Sequence, residues 1–175
     1  MSLKEIYNKA KREGKIMSET KKSEGLVIKR DPLPKNIFIG IDCGVNTGVA
    51  VVEKGCFTQI STMDILDAHD TVLAYRLKAQ EQGEEIHLII EDPNLRTWYG
   101  NSSNEKRQGA GSIKRDYSIW VSFCKKYDIS YEGISPKDVG SLFDREGTFK
   151  QYTGWIKRTS KHSRDAAKMV FRYVK

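Results

Sequence analysis

Short apolar blocks separated by polar turns run through most of this chain and predict a mixed α/β fold. The strand-length blocks cover residues 37–42, 49–52, 56–62, 87–91 and 129–134. Their β-branched and aromatic residues favour buried strands over helices. Because Gly44 and Gly48 bracket a short turn, the first two blocks are expected to pair as an antiparallel hairpin with Asp42 at its mouth.

Helices are predicted where apolar residues recur at spacings of three and four. The first runs from an Asp67 N-cap to Gln82, and the second covers 113–127. Ser135-Pro136 begins a short helix that reaches Phe143, and the last helix covers 160–174. Residues 93–112 lack periodicity and are predicted to form a loop. The resulting fold is a five-stranded mixed sheet, three antiparallel strands followed by two parallel ones, flanked by helices.

The length of 175 residues suits one sizeable domain, and 38% hydrophobic with 30% charged residues indicates a globular protein in water. The apolar runs are too short to span a membrane and no signal peptide precedes them, so a cytoplasmic protein is expected. Three widely spaced cysteines favour reduced thiols over disulfides or a zinc site, and Cys43 is interpreted as a small buried residue.

Positive charge is concentrated at the two ends of the chain. Residues 1–36 have ten Lys and Arg against five Asp and Glu, residues 145–175 have nine against two, and the middle has eleven against sixteen. Residues 1–35 are interpreted as a basic, flexible arm and 36–175 as the folded domain. Basic ends around an acidic centre suggest a polyanionic partner held beside a carboxylate site, although solvated surface charge has the same composition.

The predicted loop at 93–112 combines cationic and aromatic side chains. Arg96, Lys106 and Arg107 suit neutralisation of a nucleic-acid backbone, and the adjacent Trp98 and Tyr99 suit stacking on bases. Trp98 is equally compatible with burial in the core, where large aromatic residues are common.

Acidic residues occur at the ends of two predicted strands, and a His-x-x-Asp pair opens the last helix. Asp42 ends the first strand, Glu91 ends the fourth, and His162 and Asp165 share the first turn of the final helix. Taken singly, each has an ordinary explanation as a turn or helix-capping residue.

The order of these motifs resembles that of RuvC-type Holliday junction resolvases, in the RNase H-like superfamily. The segments that carry the resemblance are GIDCGVNTGVAVV, LIIEDP and HSRDAAKMV, with GAGSIKRDY and ISPKDV between the last two. The resemblance covers about residues 36–174 and leaves the basic arm outside. Cys43 replaces a residue that is commonly Pro in that family, and His162 replaces a carboxylate, as in some family members.

The resemblance implies an RNase H-like, metal-dependent endonuclease that resolves four-way DNA junctions in recombination and repair, acting as a homodimer. Asp42, Glu91, His162 and Asp165 would be catalytic and would hold two Mg²⁺ or Mn²⁺ ions about 4 Å apart. The family's catalytic lysine is not assigned, and Lys137, Lys150 and Lys157 are candidates. Trp98 or Tyr99 would wedge into the crossover. The predicted DNA-binding residues are Arg96, Trp98, Tyr99, Lys106, Arg107, Lys150, Lys157, Arg158, Lys161 and Arg164.

Three alternatives remain compatible with parts of the pattern. The same chemistry could act on flaps, other branched DNA or RNA–DNA hybrid. An actin-like ATPase or sugar kinase also has a D-x-G…T hairpin, but needs two lobes and a second phosphate motif. A non-catalytic junction-binding module is the third, although a basic binder gains nothing from acidic residues facing phosphate.

Overall fold

The computed structural model describes residues 34–95, 104–139 and 143–175, with the backbone alone for 104–110 and 139. Almost all of the predicted basic arm lies outside these ranges. The strands are β1 (Lys35–Asp42), β2 (Asn46–Glu53), β3 (Cys56–Asp64), β4 (Glu85–Glu91) and β5 (Ser130–Ile134). The helices are α1 (Ile65–Glu81), α2 (Asn104–Lys126), α3 (Pro136–Val139), α4 (Glu146–Thr153) and α5 (Lys161–Val170), with 3₁₀ turns at Pro93–Leu95 and Phe171–Tyr173.

The five strands form one mixed sheet in the order β3-β2-β1-β4-β5. The first three strands are antiparallel to one another, whereas β4 runs parallel to β1 and β5 runs parallel to β4. The predicted five-stranded α/β sheet with flanking helices is therefore confirmed. Asp42 pairs with Gly48 across the β1–β2 hairpin, as the glycine-bracketed turn predicted.

The predicted start of the first helix is wrong by one turn. Strand β3 continues to Asp64, and the Asp64 side chain, not Asp67, caps α1 by accepting hydrogen bonds from the backbone N–H groups of Leu66 and Asp67. Both aspartates suit an N-cap, and pairing of Asp64 with Asn46 on β2 determines which of them ends the strand.

Two other predicted boundaries also differ from the structure. Helix α2 begins at Asn104, so the loop predicted over 93–112 is wrong from that residue onward. Gly111 lies inside this helix, where glycine costs about 1 kcal/mol relative to alanine. Helix α4 was not predicted. Helix α3 begins at Pro136 as predicted and is described over Pro136–Val139, whereas Phe143, its predicted end, lies in a turn. No helix in the described ranges is long and apolar enough to cross a membrane.

Helices cover both faces of the sheet and bury two hydrophobic clusters. One face packs Ile37, Ile39 and Ile41 of β1 against α1 and against Trp120 of α2. The opposite face buries residues of β2 and β4 with Phe149 of α4 and the apolar side of α5. Since successive side chains of a strand point to opposite faces, Phe38, Gly40 and Asp42 belong to the α5 side.

Helix α5 lies unusually close to the sheet because glycines form its contact surface. A Cβ added at Gly40 would lie 2.1 Å from the Ala166 carbonyl oxygen, and one at Gly48 would lie 2.1 Å from that of His162. Real Cβ atoms do not approach backbone oxygens so closely, so a side chain at either position would displace the helix. Gly48 therefore positions the first turn of α5 directly above the end of β1.

Candidate active site

Strand geometry brings the two strand-end carboxylates together. Parallel strands β1 and β4 are adjacent, and Ile41 pairs with Ile90, so Asp42 and Glu91 are the next residues along each strand. By alternation both point to the face covered by α5. Their side chains lie close enough for Glu91 to lower the pKa of Asp42, against the larger effect of burial, which raises it.

The first turn of α5 adds an imidazole to these carboxylates. Ser160 caps the helix, and its side chain and that of Ser163 form a reciprocal capping box. Within this first turn, His162 Nδ1 lies 2.8 Å from Asp42 Oδ2. The His162 side chain is 52% exposed and the Asp42 side chain only 11%, so the pair joins a buried carboxylate to a solvent-facing ring.

Asp165 lies one turn further along α5 and faces the same group of acids. Its negative charge raises the pKa of Asp42, which places the two carboxylates within electrostatic reach. Asp165 Oδ1 accepts a hydrogen bond of 2.7 Å from Lys168 Nζ. The same ammonium donates to Asp144 Oδ1 at 2.6 Å, so one cation bridges two carboxylates.

The pKa of Asp42 reflects its burial. Burial raises the pKa of the Asp42 carboxyl group, and hydrogen bonds with His162 and Glu91 lower it without cancelling the effect. Lys168 has the opposite balance: burial lowers the pKa of its ammonium, but the bonds to Asp144 and Asp165 raise it above the ordinary value. His162 thus partly offsets the cost of burying Asp42, and Lys168 offsets the charges of Asp144 and Asp165.

The donor set fits a hard divalent cation. Three carboxylates and one imidazole from β1, β4 and α5 are the oxygen and nitrogen ligands that Mg²⁺ and Mn²⁺ accept, with His162 favouring Mn²⁺. Within the described ranges, no group of three or more His, Cys, Asp and Glu side chains is arranged around a common metal position. Asp42 instead bonds to His162, and Asp165 bonds to Lys168.

Cys43 adjoins the site but does not contribute a reactive group. Its side chain is buried, and burial, followed by the charges of Asp42 and Glu91, raises the pKa of the thiol well above its ordinary value. A protonated, buried thiol is neither a nucleophile nor a ligand at neutral pH. Cys43, Cys56 and Cys124 are all free; Cys56 is exposed.

The structure describes the side chains of five of the ten predicted DNA-binding residues. Arg96, Trp98 and Tyr99 lie outside the described residues, and Lys106 and Arg107 belong to the part of α2 for which the backbone alone is described. Three of the others are exposed and lie just before His162 in the sequence: Lys157, Arg158 and Lys161.

Arg164 has a structural role that the sequence did not reveal. Its side chain is buried, and its guanidinium donates to the backbone carbonyl oxygens of Phe143, Asp144 and Thr159 at 2.8–3.1 Å. These bonds fasten the segment before α4 and the segment before α5 to the final helix. The prediction that Arg164 binds DNA conflicts with this burial, since contact with a phosphate would break three internal hydrogen bonds.

Two of the three lysines proposed as catalytic have contacts elsewhere in the structure. Lys150 pairs with Glu146 at 3.0 Å, Lys157 Nζ lies 5.7 Å from the centre of the Trp155 ring, and Lys137 is exposed on α3. Lys168, by contrast, contacts Asp165 of the acidic cluster. Its spacing of three residues from Asp165 on a predicted helix is the signal by which the sequence could have identified it.

Comparisons with known proteins give little further information about this chain. No protein-family model matches the sequence, and no curated protein matches it. Among solved structures, the chain is similar to "T. thermophilus RuvC in complex with Holliday junction substrate", with 13% sequence identity and a TM-score of 0.49. The similarity covers 77% of this chain and 90% of that chain. At this identity the function has to be argued from the side chains of the chain itself.

Proposed function

We propose that this protein is a metal-dependent endonuclease of the RNase H-like superfamily that cuts the phosphodiester backbone of branched DNA. The observation that carries the proposal is the convergence of Asp42, Glu91, His162 and Asp165, from three separate elements, at one edge of the sheet. A bare cluster of acids is unfavourable beside a phosphate, so its presence on a basic protein is best explained by divalent cations.

Asp42, Glu91 and Asp165 would hold the cations, with His162 completing the ligand shell. Divalent cations held by these residues would promote deprotonation of the attacking water and offset the charge that develops on the phosphate and the leaving oxygen. Burial of Asp42 keeps its carboxylate in a fixed position, so little reorganisation is needed when substrate arrives.

His162 has a second role open to it, in proton transfer. If Nδ1 carries the proton, it donates to Asp42 Oδ2, and the exposed ring then presents an unprotonated Nε2. A neutral imidazole oriented by a buried carboxylate is a suitable acceptor for a proton of the attacking water. The Asp42 contact thus supports either role of His162 by fixing the orientation of the ring.

The preferred substrate, a four-way junction, is proposed from the resemblance of GIDCGVNTGVAVV, LIIEDP and HSRDAAKMV to RuvC-type resolvases. A homodimer would place two sites on one junction. Lys157, Arg158 and Lys161 precede His162 directly and are exposed, so they are suited to hold the backbone that enters the site. A role in recombination or repair follows from that substrate.

The substrate is tested by comparing four labelled molecules of related sequence: a four-way junction, a linear duplex, a flap and an RNA–DNA hybrid. Each is incubated with the full-length protein and Mg²⁺ or Mn²⁺. The proposal predicts paired, symmetric nicks on the junction and little cutting of the duplex. Preferential cutting of flap or hybrid would keep the site and replace the substrate. Tight junction binding without cleavage in either metal would instead indicate a binding module.

A further inference from the structure

Lys168 contacts the acidic cluster through Asp165, and it is nearly inaccessible to solvent. Its side chain is 4% exposed. It lies three residues after Asp165 on α5, and its ammonium donates to Asp165 Oδ1 at 2.7 Å. A buried ammonium requires charged acceptors, because desolvation of the cation is otherwise costly.

The second acceptor, Asp144, is placed beside Lys168 by an independent set of bonds. Arg164 donates to the backbone oxygens of Phe143 and Asp144 at 3.0 and 2.8 Å and so holds this segment against α5. Asp144 Oδ1 then lies 2.6 Å from Lys168 Nζ, with its side chain 52% exposed. The two acceptors differ in position: Asp165 faces the acidic cluster, and Asp144 lies at the protein surface.

Under the proposed function, Asp165 would bind a metal ion with the same carboxylate that Lys168 already contacts. Asp165 Oδ1 accepts from Lys168, and a carboxylate whose charge is offset by an ammonium at hydrogen-bonding distance binds a metal ion less tightly. Because Nζ already bonds to Asp144 as well, it can leave Asp165 without losing all of its charged partners. Lysine has three donors in rotatable positions, which suits such an exchange better than the rigid fork of arginine.

We propose that Lys168 is a positioning residue that neutralises Asp165 when no divalent cation is bound and passes to Asp144 when one binds. This inference rests on the proposed function in that Asp165 is taken as a metal ligand. Lys168 would stabilise the metal-free acidic cluster and set the affinity of the site for metal, with Asp144 as its alternative anchor.

The test is a titration of the full-length protein with Mn²⁺, with free Mn²⁺ followed by its electron paramagnetic resonance signal. Lys168→Met should tighten Mn²⁺ binding by about tenfold, the size of effect expected when one opposite charge beside a carboxylate is removed. Thermal unfolding in EDTA should show a less stable metal-free protein, and added Mn²⁺ should raise its Tm by more than in the wild type.

Asp144→Asn provides the opposite change at an exposed position that leaves the core intact. With the surface anchor weakened, Lys168 should remain on Asp165, and Mn²⁺ binding should weaken by several-fold. The matched control is Lys78→Met, which removes the Lys78–Glu53 ion pair between α1 and β2 and should leave Mn²⁺ affinity unchanged.

Failure of the inference is distinguishable from failure of the proposed function. If wild-type protein binds Mn²⁺ and neither Lys168→Met nor Asp144→Asn changes the affinity in the stated direction, Lys168 is only a structural ion-pair residue. If wild-type protein binds no Mn²⁺, both the inference and the metal-dependent function are overturned.

Discussion

Substitution of His162 tests the chemistry of the proposed site separately from the stability of the fold. Its ring is half exposed and contacts Asp42 through a single hydrogen bond, so removing it should leave folding nearly unchanged. Asp42, by contrast, is buried at the end of β1, so its substitution also changes an environment inside the fold.

We predict that His162→Ala lowers the single-turnover rate of junction cleavage by about 10²-fold or more, the range associated with loss of one proton-transfer group or ligand. His162→Asp should retain more activity than His162→Ala and should favour Mg²⁺ over Mn²⁺, because it replaces nitrogen with oxygen. The rates in each metal are measured with enzyme in excess over junction. An unchanged rate in His162→Ala would remove this residue from the site.

At this scale the sequence was informative where local geometry is regular. Asp42, Glu91, His162 and Asp165 were singled out by their positions at strand ends and in a first helical turn. Their shared role was predicted from the resemblance of their motifs to a known family. Lys168–Asp144 and the bonds of Arg164 depend on the path of the segment around 143–144, which no periodicity specifies. The backbone carbonyls that accept from Arg164 have no sequence signature, so this arginine resembled a surface cation.

Among the elements, the contact of α5 with the β1–β2 hairpin is what assembles the site. It depends on Gly40 and Gly48, above which the carbonyl oxygens of Ala166 and His162 lie. The glycines were recognised in the sequence as part of a hairpin motif, but their function in close packing of a helix became evident only from the structure. Helix α4 was missed because burial of Phe149 outweighs its weak local propensity, and the early start of α2 was missed because the residues before Ile113 lack apolar periodicity.

We predict that Gly48→Ala destabilises the protein by about 2 kcal/mol or more and also lowers junction cleavage, since the added methyl group must move the backbone of α5 at His162. Gly111→Ala is the matched control, because no atom lies within 4 Å of its added Cβ. It should stabilise α2 by up to about 1 kcal/mol. Chemical denaturation gives both values, and equal stability of Gly48→Ala and wild type would contradict the close-packing account.

For the molecule as a whole, one half-buried histidine makes stability depend on pH. His69 stacks on Phe123 with ring centres 4.2 Å apart, and among the described residues its buried Nε2 has no hydrogen-bond partner. Burial lowers the pKa of His69 to about 4, and the charge of Asp70 only partly opposes the shift. In the unfolded chain a histidine titrates near pH ~6.5.

Since the unfolded state binds the extra proton between these two pKa values, stability should fall as the pH is lowered from about 6.5 to 4. We predict that His69→Phe, which keeps the ring stack and cannot be protonated, loses less stability over this range than the wild type. Chemical denaturation at pH 7, 5.5 and 4.5 gives both curves, and subtraction removes the contribution of the carboxylates. Parallel curves would show that His69 is not the group responsible.

The charge distribution and the site together define how the molecule is expected to act. The basic segment at the start of the final helix contains Lys157, Arg158 and Lys161, and the first turn of that helix contributes His162 to the acidic cluster. Under the proposed function, this segment would hold a polyanion beside the cluster, where divalent cations would be needed for a favourable contact. The fold and the four site residues thus give one account of both signs of charge.

The most direct test of this account is single-turnover cleavage of a labelled four-way junction in Mn²⁺ by wild-type protein and Asp42→Asn, with Asp67→Asn as a control outside the site. Wild type and the control should produce paired nicks, and Asp42→Asn should bind the junction but cleave at least about 10³-fold more slowly, as expected when an essential charged group is lost. Cleavage by Asp42→Asn at the wild-type rate would show that the carboxylate cluster is not the active site.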